Sequence, residues 1–541
     1  MSGSPHDTAP VAPDAPIVAT DRGRISGRRR GGVEQFIEIP YAAPPVGPRR
    51  FKVPQPVVAW EGVRPADSWR NRAPQPPDPS YARAPRVFYA MHGDFYAPQL
   101  SEDCLTVNVW TPSTTDGERR PVLFWIHGGA FTYGHAASDA YDGENFAREH
   151  DVVFVSVTHR LNAFGFLQLE RLGGPEYAGS GNAGMLDLVA ALEWVQRNIE
   201  AFGGDPDIVT IVGESGGGAK VSMLLVMSLE QQLFHRAVCQ SGVALTAGTP
   251  EESEAYARAL IAELGGTDVS ALVTASMPDL IEAQRRIERA DPGLAGPRPV
   301  IDGRVLPKRP VDVWKAGGGS GVPVLAGWTR DELSVFAPGD VDLDIEIPES
   351  FAADSGAAGA DRAPGDVPPA GLAGLAWFTG GQDVDSVIAA RRASHPSESD
   401  DEIAQRLAGE IIFMRPAITL AESRRVWGKT TFLYRLDWAS PRIAPRGAPH
   451  SSDIGLFFGN GDRLLFTRGL ASARSVSTAM STALAAFLRS GDPGAGNGSA
   501  WAAYEPADRA VMIFDEHCRI ELDPERAVRL ALDEIDPQPL M

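Results

Sequence analysis

The chain has 541 residues, 43% of them hydrophobic and 22% charged, with a formal net charge of −20. This is the composition of a globular protein with a substantial core, and the acidic excess excludes nucleic acid and anionic membrane as expected partners, because phosphate binding needs a basic surface. No run of about 18 apolar residues marks a membrane span. The start, MSGSPHDTAPVAPDAP, lacks the basic and apolar segments of a signal peptide, so a cytoplasmic location is expected. Cys104, Cys239 and Cys518 are odd in number and far apart, with no CxxC or Cys/His cluster, so neither a disulfide framework nor a metal or other cofactor is expected.

In chain order, residues 1–16 are expected to be disordered, and Arg28-Arg29-Arg30, flanked by glycines, reads as a solvated turn. Residues 73–99 are rich in proline and aromatics without a period and read as a long excursion over a sheet edge. Short β-branched runs then predict strands over Pro121–His127, Val152–Thr158, Ile208–Val212, Arg236–Gln240, Pro323–Gly327, Thr431–Arg435 and Ala510–Phe514. Several are apolar on both faces, as parallel strands covered by helices on each side must be. Between them, residues 185–199 place Leu188, Leu192, Val195 and Ile199 on one helical stripe. The Ala/Gly/Asp/Pro tract over 352–376 reads as a mobile surface insertion. Alternation of this kind predicts an α/β architecture with a large, mostly parallel central sheet flanked by helices. Although the length would accommodate about three or four domains, neither irregular region has a core of its own, so residues 17–541 are read as one domain.

The most informative local pattern follows the Ile208–Val212 run, which ends in Gly-Glu-Ser-Gly-Gly. A strand reversing into a helix over one residue forces Ser215 into a strained conformation, and side chains at Gly213 or Gly217 would collide with neighbouring elements. Its hydroxyl is then exposed at the carboxyl edge of a sheet, beside a helix N-terminus that favours a developing anion. The string alone is weak. It gains meaning from Trp-Ile-His-Gly-Gly-Ala-Phe at 125–131, a glycine loop after a strand whose backbone N–H groups are suited to hold the oxyanion of acyl transfer.

Beyond these two motifs, the segments IPYAAPPVGPRRF (39–51), SEDCLTVNVWTP (101–112), HRLNAFGFL (159–167), GNAGMLDLVAALEWVQRNIEAFGGDP (181–206), TRDE (329–332), HSSDIGLFFG (450–459) and WAAYEPADRAVMIF (501–514) resemble, in order, the type-B carboxylesterase and cholinesterase-like family of α/β-hydrolases, with bacterial p-nitrobenzyl-esterase-like members. The resemblance runs over most of residues 17–540. It implies the α/β-hydrolase fold and ester hydrolysis through an acyl-enzyme, with Ser215 as nucleophile, His450 as general base and Glu332 as its acidic partner. Gly129, Ala130 and Gly216 fall at the oxyanion-hole positions, and Ser241, in CQSG, at a serine that buttresses the centre. The chemistry asks for such a set: serine needs a base to take its proton, and the imidazole needs a carboxylate on its far nitrogen.

Other residues are read as supporting or structural. His127 is expected to orient the glycine loop, and His159, where the family commonly has tyrosine, to be a packed core residue. His6, His92, His135, His150, His235, His395 and His517 read as surface or structural. Asp453, where the family commonly has glutamate, is expected to tether its loop through backbone hydrogen bonds. Cys104 lacks the upstream partner it has in extracellular members. Asp94 falls near the aromatic that binds choline in cholinesterases, so choline esters are disfavoured. The expected substrate is a small uncharged ester, with amides, carbamates or aromatic diesters as the alternative and a non-catalytic binding protein as a remote one. The expected assembly is a monomer or small homo-oligomer.

Overall fold

Short strands buried on both faces organise the molecule. In the computed structural model, which describes residues 14–78, 84–96, 99–337, 340, 341, 343, 347, 348, 371–444, 446–496 and 499–536, eleven strands form one sheet. They are β1 (Arg28–Arg30), β2 (Val33–Pro40), β3 (Thr106–Thr111), β4 (Arg120–Ile126), β5 (Val153–Val157), β6 (Gly204–Glu214), β7 (Arg236–Gln240), β8 (Val324–Thr329), β9 (Thr431–Leu436), β10 (Ala510–Phe514) and β11 (Arg519–Leu522). Their order across the sheet is β11-β10-β9-β8-β7-β6-β4-β5-β3-β2-β1. From β10 to β5 every neighbouring pair is parallel, whereas β11 and the β3-β2-β1 edge are antiparallel. The sheet is therefore mostly parallel, as expected.

In β4, Val122, Phe124 and Ile126 enter one core while Leu123 and Trp125 enter the other. The first core takes its helical wall from α2 (Ala183–Asn198), where Leu188, Leu192, Val195 and the following Ile199 are fully buried, the stripe read from sequence. The second is capped by α4 (Ala471–Ser490), whose Val476, Met480, Leu484 and Phe487 are buried. With both faces covered, an apolar residue at either parity is favourable, at about 25 cal/mol per Å² removed from water.

Two expectations are corrected. Arg28–Arg30 is not a turn but edge strand β1, paired with β2. The reversal falls on Gly31 and Gly32, both at positive φ. Arg29 and Arg30 point outward to Glu34 and to Glu144, a charged edge of the kind that discourages edge-to-edge pairing. The 73–99 excursion contains a helix, α1 (Pro85–His92), which opens with Pro at its first position. Residues 1–13 and 349–370 lie outside the described residues, and with them most of the expected disordered start and of the expected insertion. The remainder of the latter, from Leu372 on, turns into a short helix at Leu375–Phe378.

Candidate active site

All the candidate residues follow the carboxyl ends of neighbouring parallel strands. β4 leads into the 127–131 loop, β6 into Ser215, β7 into Ser241, β8 into Glu332 and β9 towards His450. Ser215 stands at φ +54°, ψ −123°, between β6 and α3 (Gly216–Leu224). A non-glycine residue in such a sparsely populated region costs about 1–3 kcal/mol, and the turn is held by Ser215 N donating to Gln240 O at 2.9 Å. A Cβ on Gly213 would lie 2.4 Å from the Gly217 carbonyl carbon, and one on Gly217 2.0 Å from the Ile126 oxygen. Both glycines are required by close approach, as the sequence implied.

The 127–131 loop packs directly on the start of α3: a Cβ on Gly216 would lie 2.1 Å from the Ala130 carbonyl oxygen. Gly129 and Ala130 have φ of +84° and +52°. Among the described residues, no group accepts a hydrogen bond from the backbone N–H of Gly129, Ala130 or Gly216. Three unclaimed donors in one place are a site for an anionic oxygen. His127 Nδ1 donates to the Gly128 carbonyl at 2.9 Å, fixing the loop as expected, and its ring stacks on the fully buried His159 at 4.8 Å.

On the opposite side, His450 Nδ1 meets Glu332 Oε2 at 2.6 Å, and Glu332 Oε1 accepts from Thr329 N at 2.8 Å. Both side chains are buried. The imidazole Nε2 is turned to Glu214 Oε1 at 3.2 Å, and Ser451 Oγ donates to that same oxygen at 2.6 Å. Burial alone would depress the imidazole, but Glu214 and Glu332 outweigh it and the pKa of His450 is raised. Glu214 is raised in turn by burial, the charge of His450 opposing. The two titrate as a pair.

The other carboxylates have separate tasks. Asp331 Oδ2 accepts from Ala448 N at 2.9 Å and its carboxylate pairs with Arg406, so it shapes the approach to His450 without facing it. Asp453 does not tether its own loop as expected. Its buried carboxylate accepts from Tyr434 Oη at 2.6 Å and Gln240 Nε2 at 3.4 Å, tying that loop to β9 and β7. Ser241 is buried at φ +42° with its N–H on Gly327 O, and a Cβ on the next residue, Gly242, would lie 2.0 Å from the Ser215 oxygen. The contact with the elbow is thus made by Gly242, and the Ser241 hydroxyl has no partner among the described residues.

Several neighbours escaped the sequence reading. Phe413, in a π-helical turn over Glu410–Met414, stacks on His450 with centroids 4.7 Å apart, and Phe336 lies 5.9 Å away. Phe336 continues to Phe88 and His92 of α1. His92 is thus part of the aromatic wall, and burial pushes it down to about 4, leaving it neutral. The usable signal was the π-turn's apolar run, EIIFM, but nothing in sequence assigns it to the site.

A sheet of this topology, with a strained serine between strand and helix and a His–Glu pair at the same edge, defines an α/β-hydrolase. The sequence profile of the carboxylesterase family matches residues 14–528, and the chain belongs to that family. It is 33% identical over 528 residues to para-nitrobenzyl esterase of Bacillus subtilis (strain 168), covering 95% of this chain and 98% of that enzyme. To phenmedipham hydrolase of Pseudarthrobacter oxydans it is 31% identical, covering 94% and 97%. The crystal structure of carboxylesterase EST55 from Geobacillus stearothermophilus superposes with a TM-score of 0.76 at 33% identity, covering 95% of this chain and 99% of that one. The protein is a carboxylic ester hydrolase.

Proposed function

We propose that the chain hydrolyses uncharged carboxylic esters through an acyl-enzyme on Ser215, with His450 as general base and acid, Glu332 as its partner, and Gly129, Ala130 and Gly216 as the oxyanion hole. The observation that carries this is the 2.6 Å His450–Glu332 contact at the sheet edge where Ser215 is strained outward. His450 Nε2 takes the Ser215 proton as Oγ bonds to the ester carbonyl carbon, and the three N–H groups receive the oxyanion. Collapse breaks the bond to the alcohol oxygen, which leaves with that proton. Water then gives its proton to Nε2 and attacks the acyl carbon, and the second collapse returns Ser215 and a carboxylic acid. Before substrate arrives Nε2 faces Glu214 at 3.2 Å, and the hydrogen bond to Ser215 Oγ forms in the substrate complex, since catalytic hydrogen bonds are commonly long or misaligned in the free enzyme.

Glu214, Glu332 and Asp453 around the imidazole, with the net charge of −20, support neutral over anionic substrates. The three free cysteines, Cys104 and Cys239 among them buried, support residence in a reducing compartment such as a bacterial cytoplasm. One sheet collecting residues from 127 to 450 at one edge supports a single catalytic domain over 17–541; for its assembly we keep the expectation of a monomer or small homo-oligomer. A fluorophosphonate probe should label the protein at Ser215, and Ser215→Ala should abolish labelling and lower p-nitrophenyl butyrate turnover by roughly 10⁴–10⁶-fold with an unchanged melting curve. Near-native turnover in that variant sinks the reading.

The relative named phenmedipham hydrolase, together with the aromatic wall of Phe413, Phe336 and Phe88, favours one second reading, in which carbamates, amides or aromatic diesters are the better substrates. A panel of p-nitrophenyl esters, an anilide and a carbamate ranks the two by kcat/KM.

A further inference from the structure

Lysine is among the residues least often buried without an ionic partner, yet Lys220, on the second turn of α3, has none of its surface exposed. Among the described residues no carboxylate pairs with it; its Nζ donates to the Ala130 carbonyl at 2.7 Å and sits 5.3 Å from the centre of the Phe131 ring. The titratable groups facing it are His127 and His159, which follow β4 and β5. Each donates its Nδ1–H to a backbone carbonyl, Gly128 and Arg160 respectively, and keeps a bare Nε2. Burial, followed by the lysine's charge, holds both imidazoles far below their usual range and therefore neutral. Arg160 also acts on His159, but its guanidinium pairs with Asp187, whereas Lys220 has no such partner among the described residues, and burial pushes it down to about 7. A charge placed at such cost against a single carbonyl needs a reason, and that carbonyl belongs to a residue of the oxyanion loop.

The geometry explains what the bond would do. Ala130 is held at φ +52°, a conformation that non-glycine side chains resist. Its carbonyl oxygen packs against Gly216 of α3, the other half of the N–H set. Side chains on a helix lean towards its N-terminus, so a long residue five positions after Ser215 reaches back across the start of α3 to the loop. Lys220 thus braces the loop that presents Gly129 and Ala130 against the helix that presents Gly216. We infer that Lys220 is a positioning residue for the oxyanion hole, its buried Nζ–H donor pinning the Ala130 carbonyl so that the donors of loop and helix converge on one oxygen. This rests on the oxyanion-hole assignment proposed above. Preorganised donors act on the tetrahedral intermediate far more than on the ground-state ester, so the brace should appear in kcat and not in KM.

The test is Lys220→Met, which keeps the length and apolar stem and removes the donor. With p-nitrophenyl butyrate, kcat should fall by about 10–100-fold with KM within about threefold, the split expected when only the transition state loses an interaction. Inhibition by an alkyl trifluoromethyl ketone, which forms a tetrahedral oxyanion adduct on serine, should weaken by a similar factor. Lys220→Gln, which retains one N–H donor, should recover part of both losses. Native kcat and ketone affinity in Lys220→Met, or a loss confined to KM, overturn the inference. So does failure of both variants to fold, which would make the lysine a residue of the fold alone. Ser215→Ala separates this from the underlying reading: if that variant stays active the mechanism itself is wrong, whereas an inactive Ser215→Ala beside a fully active Lys220→Met removes only the brace.

Discussion

The two walls beside Ser215 differ in electrostatic character, one lined by carboxylates and the other by hydrogen-bond donors. On the His450 side, Glu332 and Glu214 hold the imidazole from both nitrogens at 2.6 and 3.2 Å, with Asp453 buried just behind. On the side of the 127–131 loop lie N–H groups, two neutral imidazoles and Lys220, and the walls meet where Gly128 packs on Glu214: a Cβ there would lie 2.8 Å from the Glu214 Oε2. The reaction proposed here separates charge in the same way: imidazolium forms on one side as the oxyanion forms on the other. Carboxylates stand where imidazolium will form and N–H dipoles where the oxyanion will form, and because the groups are buried they are screened little by salt and reorganise little during the reaction.

The largest effect that could break this comparison comes from the acid that orients the base. Glu332→Gln keeps the shape and removes the charge, and kcat should fall by about 10²–10⁴-fold. Asp331→Asn and Asp453→Asn alter the supports of the His450 loop without touching the imidazole, so each should cost roughly tenfold or less. Steady-state kinetics on the three variants decides it: if Asp453→Asn proves crippling and Glu332→Gln mild, the negative wall is organised around the wrong carboxylate. A smaller loss is expected from the packing that aims the ring. Phe413→Ala removes the face stacked on His450 and should lower kcat by about tenfold, since misplacement of about 1 Å can cost up to 10²-fold. An unchanged kcat would mean that the two carboxylates alone fix the imidazole.

How much of this could be read beforehand depends on what each element's sequence encodes. Arg236–Gln240 and Ala510–Phe514 were predicted with the observed bounds, because a parallel strand buried on both faces is a short apolar run with sharp ends. The edge was not legible: Arg28–Arg30 is polar throughout, and its strand state comes from pairing with Val33–Pro40 rather than from any pattern of its own. Helix Pro85–His92 was hidden in a proline-rich context for a similar reason. At the site, Ser215, Gly213 and Gly217 were legible because backbone strain and close approach select residue types. Glu214 inside that motif and Lys220 three residues beyond it carry no such signal. A glutamate or a lysine on a helix or strand end is ordinary on a surface, and only burial against His450 or Ala130 makes it informative.

The subtlest difference between the walls is therefore the second carboxylate, which sequence reasoning left without a role. Glu214 faces the nitrogen that must accept the serine proton. Its negative charge favours imidazolium, which is the wrong form to begin catalysis and the right form once the proton has moved. The sign follows directly. With both carboxylates in place the pKa of His450 is raised, so the free base appears, and kcat/KM climbs, above the ordinary imidazole value of about 6.5. Glu214→Gln keeps a hydrogen-bonding side chain of the same size for Ser451 and deletes the charge, so the acid limb should move to lower pH by about one unit, equivalent to about 1.4 kcal/mol of lost imidazolium stabilisation. The same loss raises the barrier once the base is free. The variant should be several-fold slower than wild type near pH 9, and the gap should narrow or invert near pH 6, where more of the variant's imidazole is unprotonated. The pH dependence of kcat/KM for a non-ionising ester, run side by side on the two proteins, shows whether the curves converge. An acid limb that stays in place, or moves up, would mean that Glu214 does not set the protonation of His450, and the negative wall would reduce to Glu332 alone.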